Sequence, residues 1–404
     1  MDKYVEIEST DIELIDGDRG KNYPHQNELL QEGDCVFLSA SNVTSDGFKF
    51  NSVVYITAEK DRSLRNGKIQ RGDIVITTRG TVGNVAYYDR RVPYENVRIN
   101  SGMLIIRCHE QIKSEFLYYV LRGAGFQQQI KQIQTGTAQP QLPKSHFKKM
   151  KIIVPTIAVQ EKIAKVFRTI DEKIENNQHI NKNLLEQALA IYKDWFCDYA
   201  LSDGILPENW KITTIDAISS LVTRGIAPKY DDSSDQIVLN QKCIRDHTID
   251  ISLSRRHLPK KINEKWISKG DLLINSTGTG TLGRVAQVWF EANNMTVDSH
   301  VTIVRPKDPI LQSYIGFWGL SHESEIEAQH TGSTGQTELP RDRVKAMELP
   351  LPDEDTLSKF NELVIPMTST VISNQEENDR LSQLRDALLP KLMSGELDVS
   401  DIDL

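Results

Sequence analysis

The stretch RGDIVITTRGTVGNVAYYD (71–89) is nearly written again as KGDLLINSTGTGTLGRVAQVW (269–289). A chain that repeats so long a pattern folds as two copies of one domain. Gly72-Asp73 matches Gly270-Asp271 and Asn100-Ser101 matches Asp298-Ser299, both 198 positions apart. Downstream, GTAQPQLP (136–143) echoes GSTGQTELP (332–340), and KIIVP (151–155) echoes ELPLP (348–352). Upstream the likeness fades: VFLSASNV (36–43) corresponds to VLNQKCI (238–244), and Arg19-Gly20 is set opposite Arg224-Gly225. The 404 residues therefore divide into a globule (1–150), a long helix (151–205), a second globule (206–350), and a second long helix with an acidic tail (351–404).

Within each globule, short runs such as DCVFLSA, DIVIT, NVAYY and GMLIIR read as strands between Gly, Asn and Asp turns, with SEFLYYVL (114–121) as a short helix. The fold class is α+β: two pseudo-symmetric α/β, β-rich domains separated by two long helices. One motif invites a different reading. GTGTLG (278–283) has the glycine spacing that cradles a dinucleotide pyrophosphate, but that site needs a helix after the glycines. The next segment, RVAQVWF (284–290), is β-branched and aromatic, so the glycines are expected to turn the chain between two strands.

The helical segments carry an apolar seam at heptad spacing. In the first it runs through Ile163, Phe167, Ile170, Ile174, Asn177, Asn181, Leu184, Ala188, Ile191 and Trp195. In the second it runs through Phe360, Val364, Met367, Val371, Asn374, Asn378, Leu381, Leu388 and Leu392, with Arg385 as a charged intruder. Asp353 is the expected N-cap of the second helix and Gly395 its stop signal. Pro390 removes a hydrogen bond and clashes with the preceding turn, so the regular helix is expected to end near Leu389. Each helix would span about 40 residues, or about 60 Å. An apolar stripe of that length needs a partner, and an antiparallel coiled coil of the two sets Asn177 and Asn181 opposite Asn374 and Asn378. The competing reading leaves these asparagines solvated and gives the helices to other proteins.

Net charge is −8, which argues against nucleic acid until its distribution is counted. Residues 1–150 carry 20 Lys and Arg against 18 Asp and Glu, whereas 351–404 carry 4 against 12. The acid lies in the tail. KSHFKKMK (144–151) and RRHLPKKINEKWISK (255–269) remain as basic clusters able to track phosphates or to form solvated faces. Four dispersed cysteines and nine scattered histidines suggest neither a disulfide framework nor a metal site. With no apolar run approaching a membrane span and no signal-peptide core, a cytoplasmic protein is expected.

RGDIVITTRGTVGNVAYYD, RINSGM (98–103), IDEKIENNQHINKNLLEQALAIYKDWF (170–196) and QLRDALLPKLMSGELDV (383–399) together resemble the specificity subunit of type I restriction-modification systems. The resemblance covers essentially the whole chain. It implies that each globule is a target recognition domain reading one half of a bipartite DNA sequence, with the helices as ruler and docking surface. The implied partners are double-stranded DNA, two DNA-methyltransferase subunits and two restriction subunits, with no membrane. It implies no catalysis and no cofactor in this chain. S-adenosylmethionine belongs to the methyltransferase subunit, ATP and Mg to the restriction subunit, and the assembled complex would be an adenine-N6 methyltransferase and ATP-dependent endonuclease. The other classes open to the sequence are a non-DNA scaffold holding two ligand-binding domains apart and a nucleotide-dependent enzyme.

Base reading favours Arg, Lys, Asn and Gln, whereas Ser, Thr and backbone amides usually position phosphates. In the first globule the candidates are Arg19, Lys21, Asn22, Thr78, Arg79 and Thr81. In the second they are Arg224, Lys229, Tyr230, Asn240, Gln241, Lys242, Ser276, Thr277 and Thr279. Gln139 and Gln336, on matching loops before Pro143 and Pro340, complete the set. Each is equally open to a plain turn or surface role.

Overall fold

A computed structural model describes residues 4–133, 140–258, 262–332, 337–394 and 396–399. It falls into two compact units, Met1–Ile174 with Asn378–Leu404, and Glu175–Glu377.

Unit 1 is built on a four-stranded antiparallel sheet in the order Glu13–Asp16, Met103–Arg107, Ile74–Thr77, Val85–Tyr87. A three-stranded sheet, Tyr55–Ile56, Cys35–Leu38, Val97–Ile99, lies in the same unit, its last pair parallel. Unit 2 has the same orders: Ser219–Arg224, Val301–Pro306, Leu272–Asn275, Val285–Gln287, and then Arg255–Arg256, Ile237–Leu239, Met295–Val297. Both central strands, Ile74–Thr77 and Leu272–Asn275, are buried on both faces, which explains their unbroken apolar sequence. The repeat legible in the sequence is thus a repeat of topology.

Strand register corrects one part of the self-alignment. Leu104 pairs with Asp16, and its counterpart Thr302 pairs with Arg224, so Asp16-Gly17 matches Arg224-Gly225 and Arg19-Gly20 does not. The backbone requires it. A Cβ on Gly17 would lie 2.0 Å from the Asn100 carbonyl oxygen, and one on Gly225 would lie 2.0 Å from that of Val297. Only glycine fits at the end of this strand.

Gly72-Asp73 and Gly270-Asp271 recur for a structural reason. The Asp73 carboxylate takes two hydrogen bonds from Arg107, both 2.8 Å, and a third from the Gln70 amide at 2.7 Å. Asp271 does the same with Arg305, at 2.8 and 2.7 Å, and with the Ser268 amide at 2.8 Å. Both carboxylates are 1% exposed, so each copy contains one buried bidentate pair spanning two strands.

The long helices are Ile157–Phe196 and Glu354–Ser394. In unit 1, Ile163, Phe167 and Ile170 share a core with Leu389 and Leu392, and Arg385 reaches Asp171 at 2.9 Å. In unit 2, Asn177 donates to Glu377 at 2.7 Å, Asn374 donates to Asn181 at 2.7 Å, and Phe196 meets Phe360 at a centroid distance of 4.9 Å. Within each unit, rising numbers on one helix meet falling numbers on the other, which is antiparallel packing. Asn181 and Asn374 face each other as expected, and the Glu377 carboxylate accepts from the Asn177 amide. Asp353 caps the second helix through the Thr356 amide at 2.9 Å.

The expected stop near Leu389 is overturned, since the helix runs through Pro390 to Ser394. Leu389 and Leu392, on either side of the proline, are buried at 8% and 5% exposure. Burying two leucines stabilises by about 1.5–3 kcal/mol each, which offsets a proline cost of about 3 kcal/mol. Gly395 lies outside the described residues.

Candidate nucleic-acid interface

The glycine motif forms a hairpin turn in both copies. Gly278, Gly280 and Gly283 have φ of 104, 71 and 84°, and the strands they join, Leu272–Asn275 and Val285–Gln287, pair antiparallel. Gly80 and Gly83, at 74 and 96°, do the same between Ile74–Thr77 and Val85–Tyr87. No helix starts at these glycines to receive a phosphate, so the motif is a turn as its flanking strands implied.

Each turn is clamped to the segment before a proline. In unit 1 the Thr78 amide donates to Gly102, its carbonyl accepts from the Leu142 amide at 3.0 Å, and Arg79 bridges to Gln141. In unit 2 the Ser276 amide donates to His300, its carbonyl accepts from the Leu339 amide at 2.8 Å, and Thr277 bridges to Glu338. The Ser276 hydroxyl is fully buried against that of Thr302 at 2.6 Å; Ser276 therefore braces the turn and offers no group to a phosphate, contrary to expectation. Thr78, at 7% exposure, is likewise part of the clamp.

Of the unit 1 candidates, Arg19, Thr78 and Arg79 line one polar groove of about 300 Å³, together with Asp16, Gln141 and Lys144 among others. Asp18 builds the loop that carries Arg19. Its carboxylate accepts from the Gly20 amide at 2.6 Å and the Arg65 amide at 2.7 Å, and the Gly20 bond foremost holds its pKa below the ordinary carboxylate range. Lys21 is exposed, and Asn22 is spent on the Ser63 carbonyl at 2.9 Å. Thr81 is exposed on the glycine turn, outside this groove.

In unit 2, Thr277 contacts His300 Nδ1 at 2.7 Å and the Gln241 side-chain oxygen at 3.3 Å, joining two sequence candidates through a histidine the sequence did not single out. Asn240 caps the short helix that carries Lys242, accepting from the Lys242 amide at 2.9 Å. Arg224 is tied to Glu338 at 2.5 Å and to the Leu339 carbonyl at 2.8 Å. Tyr230 lies under the Arg255 guanidinium at 3.5 Å, beside exposed Lys229, while Thr279 is exposed at the turn. Gln139 and Gln336 lie outside the described residues.

Gln141, Lys144, His300 and Glu338 were missed because their role depends on partners more than 20 positions away, and Asp16 because it joins nearby Arg19 to distant Lys144. Only Lys144 carried a signal, as the first residue of the basic cluster at 144–151.

Residues 1–186 match the family model described as the type I restriction modification DNA specificity domain. Over these residues, just under half of the chain, it is similar to the type I restriction-modification specificity family. Over 365 residues it is 26% identical to the MjaIX specificity subunit of Methanocaldococcus jannaschii, covering 85% of this chain and 82% of that one. It is 21% identical to the HindI specificity subunit of Haemophilus influenzae, covering 94% and 98%. The S subunit of a type I restriction-modification system from M. genitalium shares its fold, with a TM-score of 0.59, 15% identity, and coverage of 97% and 96%. Specificity subunits are non-catalytic. Among the described residues of this chain, no His, Cys, Asp or Glu cluster could hold a metal, and no helix is long and apolar enough to cross a membrane.

Proposed function

We propose that residues 1–150 and 206–350 are two target recognition domains, each reading one half of an asymmetric bipartite DNA sequence. The segments 151–205 and 351–404 supply the helices, which set half-site spacing and dock two methyltransferase subunits. Two restriction subunits complete the complex, which works in the cytoplasm as an adenine-N6 methyltransferase and ATP-dependent endonuclease. S-adenosylmethionine is held by the methyltransferase subunit, and ATP and Mg by the restriction subunit. Readers of paired half-sites place them about 34 Å apart, one helical turn, and a helix pair of fixed register suits that task.

One observation carries the reading. Two sheets of identical strand order present turns of different chemistry at matching positions: Arg79 and Gln141 in unit 1, Thr277 and Glu338 in unit 2. Identical scaffolds that present unlike charges would meet the two halves of one DNA target differently, at base edges or at backbone phosphates. Exchanging residues 1–150 for the first globule of another specificity subunit, then mapping methylated adenines in cells expressing the whole system, should change one half of the target. A target unchanged in both halves overturns the assignment, and loss of all sequence preference with assembly intact favours a scaffold.

A further inference from the structure

We propose that the unit 1 groove seats a DNA backbone phosphate between Arg79 and Lys144, and that the Arg224 and Glu338 ion pair cancels the same seat in unit 2. This rests on the DNA reading proposed for the two globules and sharpens it. Three cations line the groove, Arg19, Arg79 and Lys144, against one carboxylate, Asp16. Asp16 is shared, 3.7 Å from Arg19 and 3.5 Å from Lys144, so it neutralises at most one of them. Arg79 is exposed on its turn, and its guanidinium makes no hydrogen bond or ion pair with another described residue. A formal charge of two positive units remains in a concave polar site, which suits an anion.

Strand register places Arg224 where unit 1 has Asp16, and the clamp places Thr277 and Glu338 where it has Arg79 and Gln141. The charges have been exchanged. In unit 1 the strand end is the acid and the loop brings a lysine; in unit 2 the strand end is the base and the loop brings a glutamate, 2.5 Å away. The lysine's counterpart, Arg341, pairs with Asp342 at 3.4 Å, so this place in unit 2 carries no net charge. A phosphate would gain an ion pair in unit 1 and would have to break one in unit 2.

The test uses the complex assembled with methyltransferase subunits, measuring affinity against salt for the mapped target and for an unrelated duplex. Each phosphate contact contributes about 0.9 to the slope of log K against log salt. Arg79→Gln should lower that slope by about one unit and weaken both duplexes several-fold alike, and Lys144→Gln should do the same. Glu338→Gln, which frees Arg224, should steepen the slope by up to about one unit. Because Lys144 also bonds the Leu14 carbonyl at 2.7 Å, Lys144→Arg, which keeps the charge, should retain the slope and separate charge from folding. Arg79→Gln that alters preference at one base pair with the slope unchanged would make Arg79 a base reader and overturn the proposal. Unchanged slopes in all variants would place the groove away from DNA. A wild-type complex with no affinity for any duplex would instead defeat the DNA reading itself.

Discussion

In unit 1 the guanidiniums of Arg122 and Arg385 both reach the Asp171 carboxylate, at 3.3 and 2.9 Å, joining the globule to both helices. In unit 2 the positions that match by the repeat are Leu320, Ala188 and Thr368; Leu320 and Ala188 are buried at 4% and 1% exposure. Leu320 and Ala188 share a core with an aromatic cluster of Tyr192, Phe196, Tyr314, Phe317 and Phe360. The matching positions are ionic in one copy and carry no charge in the other. Charge at these positions is therefore not a requirement of the shared fold. The charged version adds direction, because Arg385, which also meets its neighbour Asp386 at 3.3 Å, is tied to the first helix through Asp171. That accounts for the arginine that interrupts an otherwise apolar seam.

The largest effect is expected on the aromatic side. Phe360 is fully buried and meets Phe196, Phe317, Tyr192 and Trp195 at centroid distances of 4.9 to 6.1 Å. Phe360→Ala should cost about 3–5 kcal/mol, seen as lost hydrogen-exchange protection across unit 2 while unit 1 is spared. On the ionic side, Asp171→Ala leaves two cations facing each other. Their side chains are 17% and 23% exposed, so water softens the penalty to about 2–3 kcal/mol, below the full cost of breaking a buried pair. Importing unit 2's residues sharpens the contrast. The triple variant Arg122→Leu, Asp171→Thr, Arg385→Ala should recover to within about 1 kcal/mol of wild type in denaturant titrations. If the triple variant is as unstable as Asp171→Ala, the triad holds the joint by its charge, and equivalence of the two joints is lost.

The two-copy plan and both long helices were legible because their signals are local and periodic: a repeated strand and turn sequence, and seams recurring every three or four residues. The hairpin role of GTGTLG was legible from its flanking strands. What escaped depends on distant partners. Asp73 and Arg107 are 34 positions apart, and nothing between them announces the pair. Arg-Gly looked like an anchor for aligning residues 19 and 224, yet the fixed feature is a glycine against a strand end, whichever residue precedes it. Pro390 was judged by its local cost, which buried leucines on either side offset. At the interface, side-chain type nominated Arg19, Arg79 and Thr277, which the fold places on the polar groove or the glycine turns, but could not tell that Ser276 points inward.

The smallest expected effect lies at the start of the second helix and divides the copies again. Asp353 accepts from the Thr356 amide, the Trp210 indole at 3.0 Å and the Asn209 amide at 3.1 Å. These bonds, the Thr356 amide foremost, lower its pKa from 3.8 to about 2. A depressed carboxylate stabilises the fold fully above its unfolded value and loses that contribution as pH falls toward the folded one. Wild type should therefore lose stability between about pH 4 and pH 2 through this group, whereas Asp353→Asn, which keeps a capping oxygen without the charge, should lose less over that window. Asp353→Ala should cost about 1 kcal/mol at neutral pH. The first helix has Thr156 at the matching place, which does not ionise in this range, so acid should loosen the helix start in unit 2 before that in unit 1. Hydrogen exchange at residues 354–360 and 157–163 across that pH range decides it: equal loosening at both starts would assign the acid response to other carboxylates.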